Sequence, residues 1–91
     1  MKLLTGLLLH ETPDGTIAVA TGEAAKVLNG MIRLSDTAAF ILRQMEEDTT
    51  EDAIVQALLA HYEGVEEAQA KEDVHTVIAR LDQVGLISYD A

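Results

Sequence analysis

A short strand pattern runs directly into a helix pattern in this chain, with no residues between them for a loop. Residues 30–42 read G-M-I-R-L-S-D-T-A-A-F-I-L, and Met31–Leu34 form an alternating apolar run. The hydroxyl of Ser35 can cap a first helical turn, and Asp36 suits the positive end of a helix dipole. The sequence therefore predicts a strand over residues 31–34 that is followed at once by a helix.

The N-terminal part of the chain, up to residue 21, has the pattern of a β-hairpin. Leu7–Leu9 provide apolar strand character, and Ile17 and Val19 alternate with smaller residues. Between them, residues 12–15 read T-P-D-G. Proline presets the second position of a type I turn, aspartate suits the third, and glycine accepts the left-handed conformation that follows. This segment predicts two antiparallel strands joined by a tight turn.

The segment from residue 22 to residue 30, G-E-A-A-K-V-L-N-G, has two interpretations. We favour a connecting loop that contains one helical turn. The alternative is a tight turn at Asn29–Gly30, which would bring Val27–Leu28 against Met31–Ile32 as a further pair of strands.

Three helical patterns follow, each with apolar residues three or four positions apart. The first begins at Ser35, and its apolar stripe is Ala38, Ile41, Leu42 and Met45. The second begins at Thr49 or Thr50 and stops near Gly64, with an apolar face of Ile54, Val55, Leu58, Leu59 and Tyr62. The third runs from about Glu67 to Val84, with a stripe of Val74, Val77, Ile78 and Leu81. Gly85 ends it, and Leu86–Ile87 are expected to return to the core.

The order of these elements predicts an α+β fold that is like a winged helix-turn-helix, with a three-stranded antiparallel sheet followed by three helices. A chain of 91 residues has room for one domain, which we expect to span residues 1–91. A winged-helix DNA-binding protein needs basic side chains on its third helix. Here residues 66–86 contain only Lys71 and Arg80 against five acidic residues, so DNA binding is not expected.

The overall charge excludes two classes of partner. The formal net charge is −10, so phosphate backbones and anionic lipid surfaces would repel this protein. We therefore expect neither nucleic acid nor a membrane as a partner. No segment is long enough to cross a bilayer, and the first residues lack a signal-peptide cleavage site, which predicts a soluble, cytoplasmic protein. The absence of cysteine excludes disulfides and thiolate metal sites.

The side chains that commonly carry catalysis are scattered. His10, His61 and His75 do not have the spacing of a zinc motif. Serine occurs only at Ser35 and Ser88, which gives little support to a Ser-His-Asp arrangement. Neither a Walker loop nor a G-x-G-x-x-G segment is present. We therefore expect no catalytic residues, no metal and no cofactor.

Three stretches of the chain resemble the PqqD-like family, named after a component of pyrroloquinoline quinone biosynthesis. They are residues 30–42 quoted above, T-T-E-D-A-I-V-Q-A-L-L-A-H-Y, and A-K-E-D-V-H-T-V-I-A-R-L-D-Q-V-G-L-I. The family's strand-to-helix junction reads roughly R-L-N-E-T-A-A; here Ser35 replaces Asn and Asp36 replaces Glu, each chemically equivalent at a helix start. The resemblance covers about Leu7 to Ile87.

The resemblance implies a non-catalytic peptide-binding protein, also called a recognition element of ribosomally made, post-translationally modified peptides. Such a protein binds the leader of a precursor peptide and presents the rest to a modifying enzyme, often a radical S-adenosylmethionine enzyme. The leader adds as a strand beside the third strand and packs against the third helix. The implied contact residues are Met31, Ile32, Arg33, Leu34, Asp73, Val74, Val77 and Ile78.

The chemistry of an edge strand agrees with this implied role. Unpaired N–H and C=O groups along residues 31–34 would hydrogen-bond an added strand with little dependence on its sequence. Alternation puts Met31 and Arg33 on one face and Ile32 and Leu34 on the other. It predicts that one pair serves the core and the other lies nearer the ligand, and leaves open which. We expect Arg33 to contact an acidic or backbone group of the leader.

Three alternatives stay open at this point. Val74, Val77 and Ile78 also fit a core stripe, and one helix can serve the core and the ligand with adjoining edges. The competing function is a winged-helix regulator or an assembly scaffold that binds no leader. In the absence of leader, the third strand could instead pair with its copy in a second molecule, which would give a homodimer.

Overall fold

The predicted strands and helices occur in the predicted order, with additions at both ends of the chain and before the third predicted strand. This computed structural model describes residues 1–28 and 30–89. Within them the elements are β1 (Lys2–Leu3), β2 (Leu7–Thr12), β3 (Gly15–Ala20), α1 (Gly22–Ala25), β4 (Met31–Leu34), α2 (Asp36–Gln44), α3 (Glu51–His61), α4 (Glu67–Gln83) and β5 (Ile87–Ser88). β2, β3 and β4 form a three-stranded antiparallel sheet, so the predicted α+β fold class is confirmed.

The T-P-D-G segment forms the predicted hairpin turn between β2 and β3. Thr12 pairs with Gly15, which leaves Pro13 and Asp14 as the two turn residues. The hydroxyl of Thr12 donates to the Gly15 carbonyl (2.8 Å) and accepts from the Asp14 N–H (3.3 Å). Gly15 has φ +128°, a conformation that favours glycine. The local turn signals therefore predicted this hairpin correctly.

The connection from β3 to β4 contains one helical turn, as favoured above. α1 covers Gly22–Ala25, and the N–H groups of Val27 and Leu28 both donate to the Ala24 carbonyl (3.2 and 2.9 Å). Val27 and Leu28 therefore belong to a turn, and the alternative that made them a strand is wrong. The proposed tight turn at Asn29–Gly30 includes Asn29, which lies outside the described residues.

Hydroxyl caps start two of the helices. The Ser35 hydroxyl accepts from the Ala38 N–H (3.1 Å), directly after the last residue of β4. α3 is capped by Thr50, whose hydroxyl accepts from the Ala53 N–H (3.1 Å), and so the choice between Thr49 and Thr50 falls on Thr50. Capping of this kind stabilises a helix start by about 1 kcal/mol.

α2 lies against β3 and β4, and α3 and α4 pack beside it. Its stripe includes Ile41, Leu42 and Met45 as predicted, but Ala39 is buried where Ala38 was expected and Ala38 is only half-buried. The reason is a groove that opens beside Ala38, described below. The larger fully buried side chains of this core are Ile41, Leu42, Met45, Ile54, Val55, Leu58, Val74 and Leu86. None of the helices within residues 1–28 and 30–89 is long and apolar enough to span a membrane.

A second, two-stranded sheet joins the two ends of the chain. Lys2 of β1 pairs with Ser88 of β5, and Leu3 pairs with Ile87. The Leu3 N–H also donates to the Met45 carbonyl (2.8 Å), which ties β1 to the end of α2. The predicted return of the chain after α4 is confirmed, but its partner strand β1 was not predicted. Strands of two residues are too short to show an alternating pattern.

The register of the three-stranded sheet decides which backbone groups of β4 are unpaired. β3 is the central strand. Just beyond the paired residues, the Thr21 N–H donates to the Gly6 carbonyl on the β2 side (2.9 Å), and the Ala20 N–H donates to the Gly30 carbonyl on the β4 side (3.3 Å). Hydrogen-bonded and non-hydrogen-bonded pairs alternate in an antiparallel ladder. Even-numbered residues of β3 therefore bond to β4, and odd-numbered residues bond to β2.

The same alternation assigns the backbone groups of β4. Ile32 lies opposite Ala18, and Leu34 lies opposite Thr16, so both direct their N–H and C=O groups towards β3. Met31 and Arg33 direct theirs away from it. In the part of the chain that the structure describes, no strand pairs with β4 on that side. The edge therefore presents the donors and acceptors of Met31 and Arg33.

The two faces of the sheet differ in what covers them. Ile32 and Leu34 face the helices and pack against the core. On the outer face, Leu8, Val19 and Met31 are aligned directly across β2, β3 and β4. Leu8 is 56% exposed and Met31 is 66% exposed. These three residues form an apolar outer row on the side of the sheet that faces away from the helices.

We expect Gly6→Ala to lower the free energy of unfolding by about 3 kcal/mol or more. Gly6 has φ +99°, and a Cβ there would overlap the Thr21 carbonyl oxygen. Left-handed strain of about 1–2 kcal/mol would add to that overlap. Gly30 has the same φ, and apart from its chain neighbours no described residue has an atom within 4 Å of an added Cβ, so Gly30→Ala is the matched control and should show only the strain. Urea denaturation measures both; equal losses would contradict the close approach at Gly6.

Amide hydrogen exchange in the protein without ligand should separate the two pairs of β4 residues. The N–H groups of Ile32 and Leu34 are held in the ladder to β3, whereas those of Met31 and Arg33 face away from it. We expect exchange to be at least about tenfold slower at the first pair. Exchange followed residue by residue in NMR spectra checks this. Protection of Met31 and Arg33 equal to that of Ile32 would mean that the edge is covered.

Candidate functional site

An apolar groove of about 440 Å³ runs between β4 and α4. Its walls come from the edge strand on one side and from the C-terminal half of α4 on the other, and α2 forms its floor. The lining residues are Ile32, Arg33, Leu34, Ser35, Ala38, Leu42, Val77, Arg80, Leu81, Val84 and Leu86. The groove follows the unpaired edge of β4, so backbone hydrogen-bonding groups and an apolar trough lie side by side.

The side chains of β4 divide between the groove and the outer face. Ile32 and Leu34 are half-buried, pack against the core and line the groove. Met31 and Arg33 are exposed on the opposite face. We expected one pair of side chains to serve the core and the other to lie nearer the ligand. In the structure Ile32 and Leu34 do both, because the groove opens along the margin of the core. Ile32 and Leu34 are thus the side chains that face into the trough.

The four residues predicted on the third helix lie at different depths. Val77 is half-buried and lines the groove. Asp73 lines an adjoining hollow that shares Ser35, Ala38 and Val77 with the groove. Val74 and Ile78 are both buried and neither is among the lining residues, so both belong to the core next to the groove. The structure brings Val77 and Asp73 to this surface, while Val74 and Ile78 can act only as its support.

Sequence reasoning missed the part of α4 that follows Val77. Arg80, Leu81 and Val84 continue along the groove at positions i+3, i+4 and i+7 from Val77. Val84 is 46% exposed. The helical period itself was the available signal, because extending the stripe from Val77 by two turns reaches these residues. The groove therefore extends further towards the C-terminal end of the helix than the predicted residues do.

Positive charge is placed unevenly over this acidic protein. The chain has six basic and sixteen acidic residues. Lys26, Arg43 and Lys71 each form an ion pair with a carboxylate, at 3.2, 2.8 and 3.1 Å. Arg33 and Arg80 make no ion pair with any carboxylate among residues 1–28 and 30–89, and both line the groove. The guanidinium group of Arg80 therefore lies on the helix side of the groove, and that of Arg33 lies beside the edge of β4 on the outer face.

The N-terminal strand leaves the edge of β4 accessible. β1 pairs with β5 and not with β4. The Leu4 N–H donates to the Leu86 carbonyl (2.8 Å), which continues the same connection. The chain's own first residues are thus bonded to the C-terminal segment, and β1 leaves the free groups of β4 uncovered.

The histidines lie on separate elements, outside the groove. His10 is exposed on β2. The His61 ring stacks on Phe40 with 4.4 Å between ring centroids. His75 Nδ1 lies 3.6 Å from a Glu51 carboxylate oxygen. Over the described ranges, no three histidine or acidic side chains come together in a way that could hold a metal ion.

Two ionisable groups whose pKa differs from its ordinary value also lie away from the groove. The Met1 amine donates to Asp48 (2.7 Å), and this contact lowers the pKa of the Asp48 carboxyl. The Tyr89 hydroxyl donates to Asp82 (3.0 Å), which raises the pKa of Tyr89. Neither pair touches β4, so these shifts concern the two ends of the chain and not the groove.

Two solved structures have the same fold as this chain. One, described as TbiB1 in complex with the TbiA(beta) leader peptide, aligns with a TM-score of 0.75 and 19% identity over 100% of this chain and 99% of that chain. The other, described as lasso peptide synthetase B1 complexed with the leader peptide, aligns with a TM-score of 0.69 and 22% identity over 93% of each chain. Among curated proteins, none matches this sequence.

The sequence also matches a family model over most of its length. The model describes coenzyme PQQ synthesis protein D (PqqD), and the match runs from residue 8 to residue 87. This range contains the whole three-stranded sheet except Leu7, together with all three long helices and the groove between β4 and α4. The resemblance drawn from the strand-to-helix junction is confirmed: the chain belongs to the PqqD family.

Proposed function

We propose that this protein binds the leader segment of a ribosomally made precursor peptide as an added strand on β4. The observation that carries the proposal is the open edge itself, where Met31 and Arg33 direct their backbone groups away from β3 beside an apolar groove. The protein acts without catalysing a reaction. Its work is to recognise one peptide and to hold it.

Backbone and side chains contribute differently to such binding. Met31 and Arg33 together offer two N–H and two C=O groups, enough for four hydrogen bonds to an extended peptide. Each is worth about 0.5–1.5 kcal/mol net, and part of that gain offsets the ordering of a flexible leader. Selectivity must come from alternate leader side chains that enter the groove between Ile32, Leu34 and Val77.

We propose that the residues of the predicted site contribute to leader binding in different ways, some through backbone groups and some through side chains. Met31 and Arg33 bind through backbone groups, and Ile32, Leu34 and Val77 contact leader side chains. Asp73 lies at the adjoining hollow, where a leader that continues past Ser35 would pass. Val74 and Ile78 are buried and support the groove residues through core packing.

The fold neighbours support this function by analogy. Both are proteins described as bound to a leader peptide, and both align with more than nine-tenths of this chain. Family membership points in the same direction, because the resemblance to PqqD-like proteins implies a leader-binding role. We also keep the cytoplasm as the predicted compartment, because ribosomally made precursors arise there.

Delivery to an enzyme is the second half of the proposal. A leader held on β4 would bring the rest of the precursor to a modifying enzyme docked on another surface, which raises its effective concentration at the active site. We keep a radical S-adenosylmethionine enzyme as the predicted partner. A lasso-type enzyme is the second candidate, because the fold neighbours include a lasso peptide synthetase component.

The competing function, a regulator or scaffold that binds no leader, makes a different use of the edge. β4 of one molecule could then pair with β4 of a second copy. Equilibrium sedimentation separates the cases: a leader-binding protein loses any such dimer when leader is added, whereas a scaffold keeps it.

We expect Met31→Pro to weaken leader binding by about tenfold or more. The Met31 N–H faces the open edge, so proline removes a donor to the leader and puts a ring in its path, while the ladder to β3 keeps all its bonds. Isothermal titration with a synthetic leader peptide that the original protein binds measures the change.

Met31→Ala is the matched control for this variant. It also removes the side chain but keeps the N–H, so its affinity should stay within about threefold of the original. Both variants should keep the original melting temperature within a few degrees, because Met31 is exposed. Equal affinities for the two variants would contradict strand addition on β4.

A further inference from the structure

We infer that the groove selects a leader segment in which one acidic residue stands between two apolar residues, with the acidic side chain beside Arg33. This inference rests on the proposed function and specifies the peptide that it concerns. Three observations carry it: the register of β4, the lining of the groove, and the exposed, unpaired side chain of Arg33.

The register fixes which leader side chain lies beside Arg33. Arg33 directs its backbone groups to the open edge. In an antiparallel leader the residue directly opposite exchanges both hydrogen bonds with it, and in a parallel leader the two residues that flank the opposite one make these bonds. Directly opposite residues have their side chains on the same face of a sheet. That leader residue therefore points to the outer face with Arg33, whichever direction the leader runs. Its two neighbours in sequence point to the groove.

The lining of the groove sets the character of those two neighbours. They face Ile32 and Leu34 from the strand side and Val77, Leu81 and Val84 from the helix side. An apolar side chain gains from leaving water in such a trough, and an unpaired charge loses. The two leader residues that flank the one opposite Arg33 should therefore be apolar.

Charge sets the character of the central residue. Arg33 is exposed on the outer face and has no ion pair with a carboxylate in the described ranges. Opposite charges directly across a ladder attract, and like charges repel. An acidic leader residue therefore gains at this position, while a basic one is penalised.

The acidic surface of the rest of the protein makes a preference for an acidic leader residue at Arg33 useful. A protein with net charge −10 attracts cationic peptides of any sequence. Arg33 works against such peptides at the edge of β4, where the leader is proposed to add as a strand. Discrimination thus uses repulsion of wrong partners as well as attraction of the right one.

The experiment is a selection from an mRNA-displayed library of random dodecapeptides on the full chain. We expect the original protein to enrich peptides with an apolar-acidic-apolar triplet. Arg33→Glu should enrich a basic residue at the centre of the same triplet. For a single enriched peptide, replacing the central acid by alanine should weaken binding about two- to fivefold, less at high salt.

Two control proteins keep the outcomes distinct. Lys71→Glu changes the net charge by the same amount on the exposed surface of α4 outside the groove, and it should enrich the original triplet. Met31→Pro tests whether the enriched peptides use the edge at all, and it should enrich none of them.

The two proposals fail in different ways. Suppose that the original protein enriches peptides and Met31→Pro does not. If those peptides have no acidic central residue, or if Arg33→Glu still enriches peptides with one, this inference is wrong and strand addition stands. If the original protein enriches nothing beyond Met31→Pro, both the inference and the proposed function are wrong.

Discussion

Backbone hydrogen bonding along β3 determines what the rest of the molecule can do. Its residues bond alternately to β2 and β4, which uses one side of β4 and leaves the groups of Met31 and Arg33 unused on the other. Ser35 then caps α2 immediately, so the edge strand is anchored at one end by a helix and along its length by β3. A rigid edge of this kind needs little reorganisation to accept another strand, which lowers the entropic cost of binding.

The features that the sequence predicted well depend on short-range chemistry. Thr12 to Gly15 specify a turn through their own torsional preferences, and Ser35 specifies a helix start through its hydroxyl. Such signals act within four or five residues and do not require knowledge of the fold. The direct junction between β4 and α2 could therefore be located from the sequence, and with it the family.

The features that were missed depend on contacts between distant parts of the chain. β1 and β5 have two residues each, and they become strands only because the fold brings Leu3 to Ile87. Val74 and Val77 belong to the same predicted stripe, yet one is fully buried and the other lines a groove. The difference comes from where β4 ends and α2 begins beside the helix. The helical period identifies an apolar stripe, but it does not show which residues of that stripe are buried in the core and which line a groove.

The outer row of Leu8, Val19 and Met31 has a consequence for how a peptide-loaded molecule differs from an empty one. A strand that joins β4 with an apolar residue opposite Met31 would extend the row by one position. That enlarged patch would belong to two chains at once and would exist only while the peptide stays in place. A third molecule resting on it could distinguish a cargo-bearing carrier from a vacant one while never entering the groove.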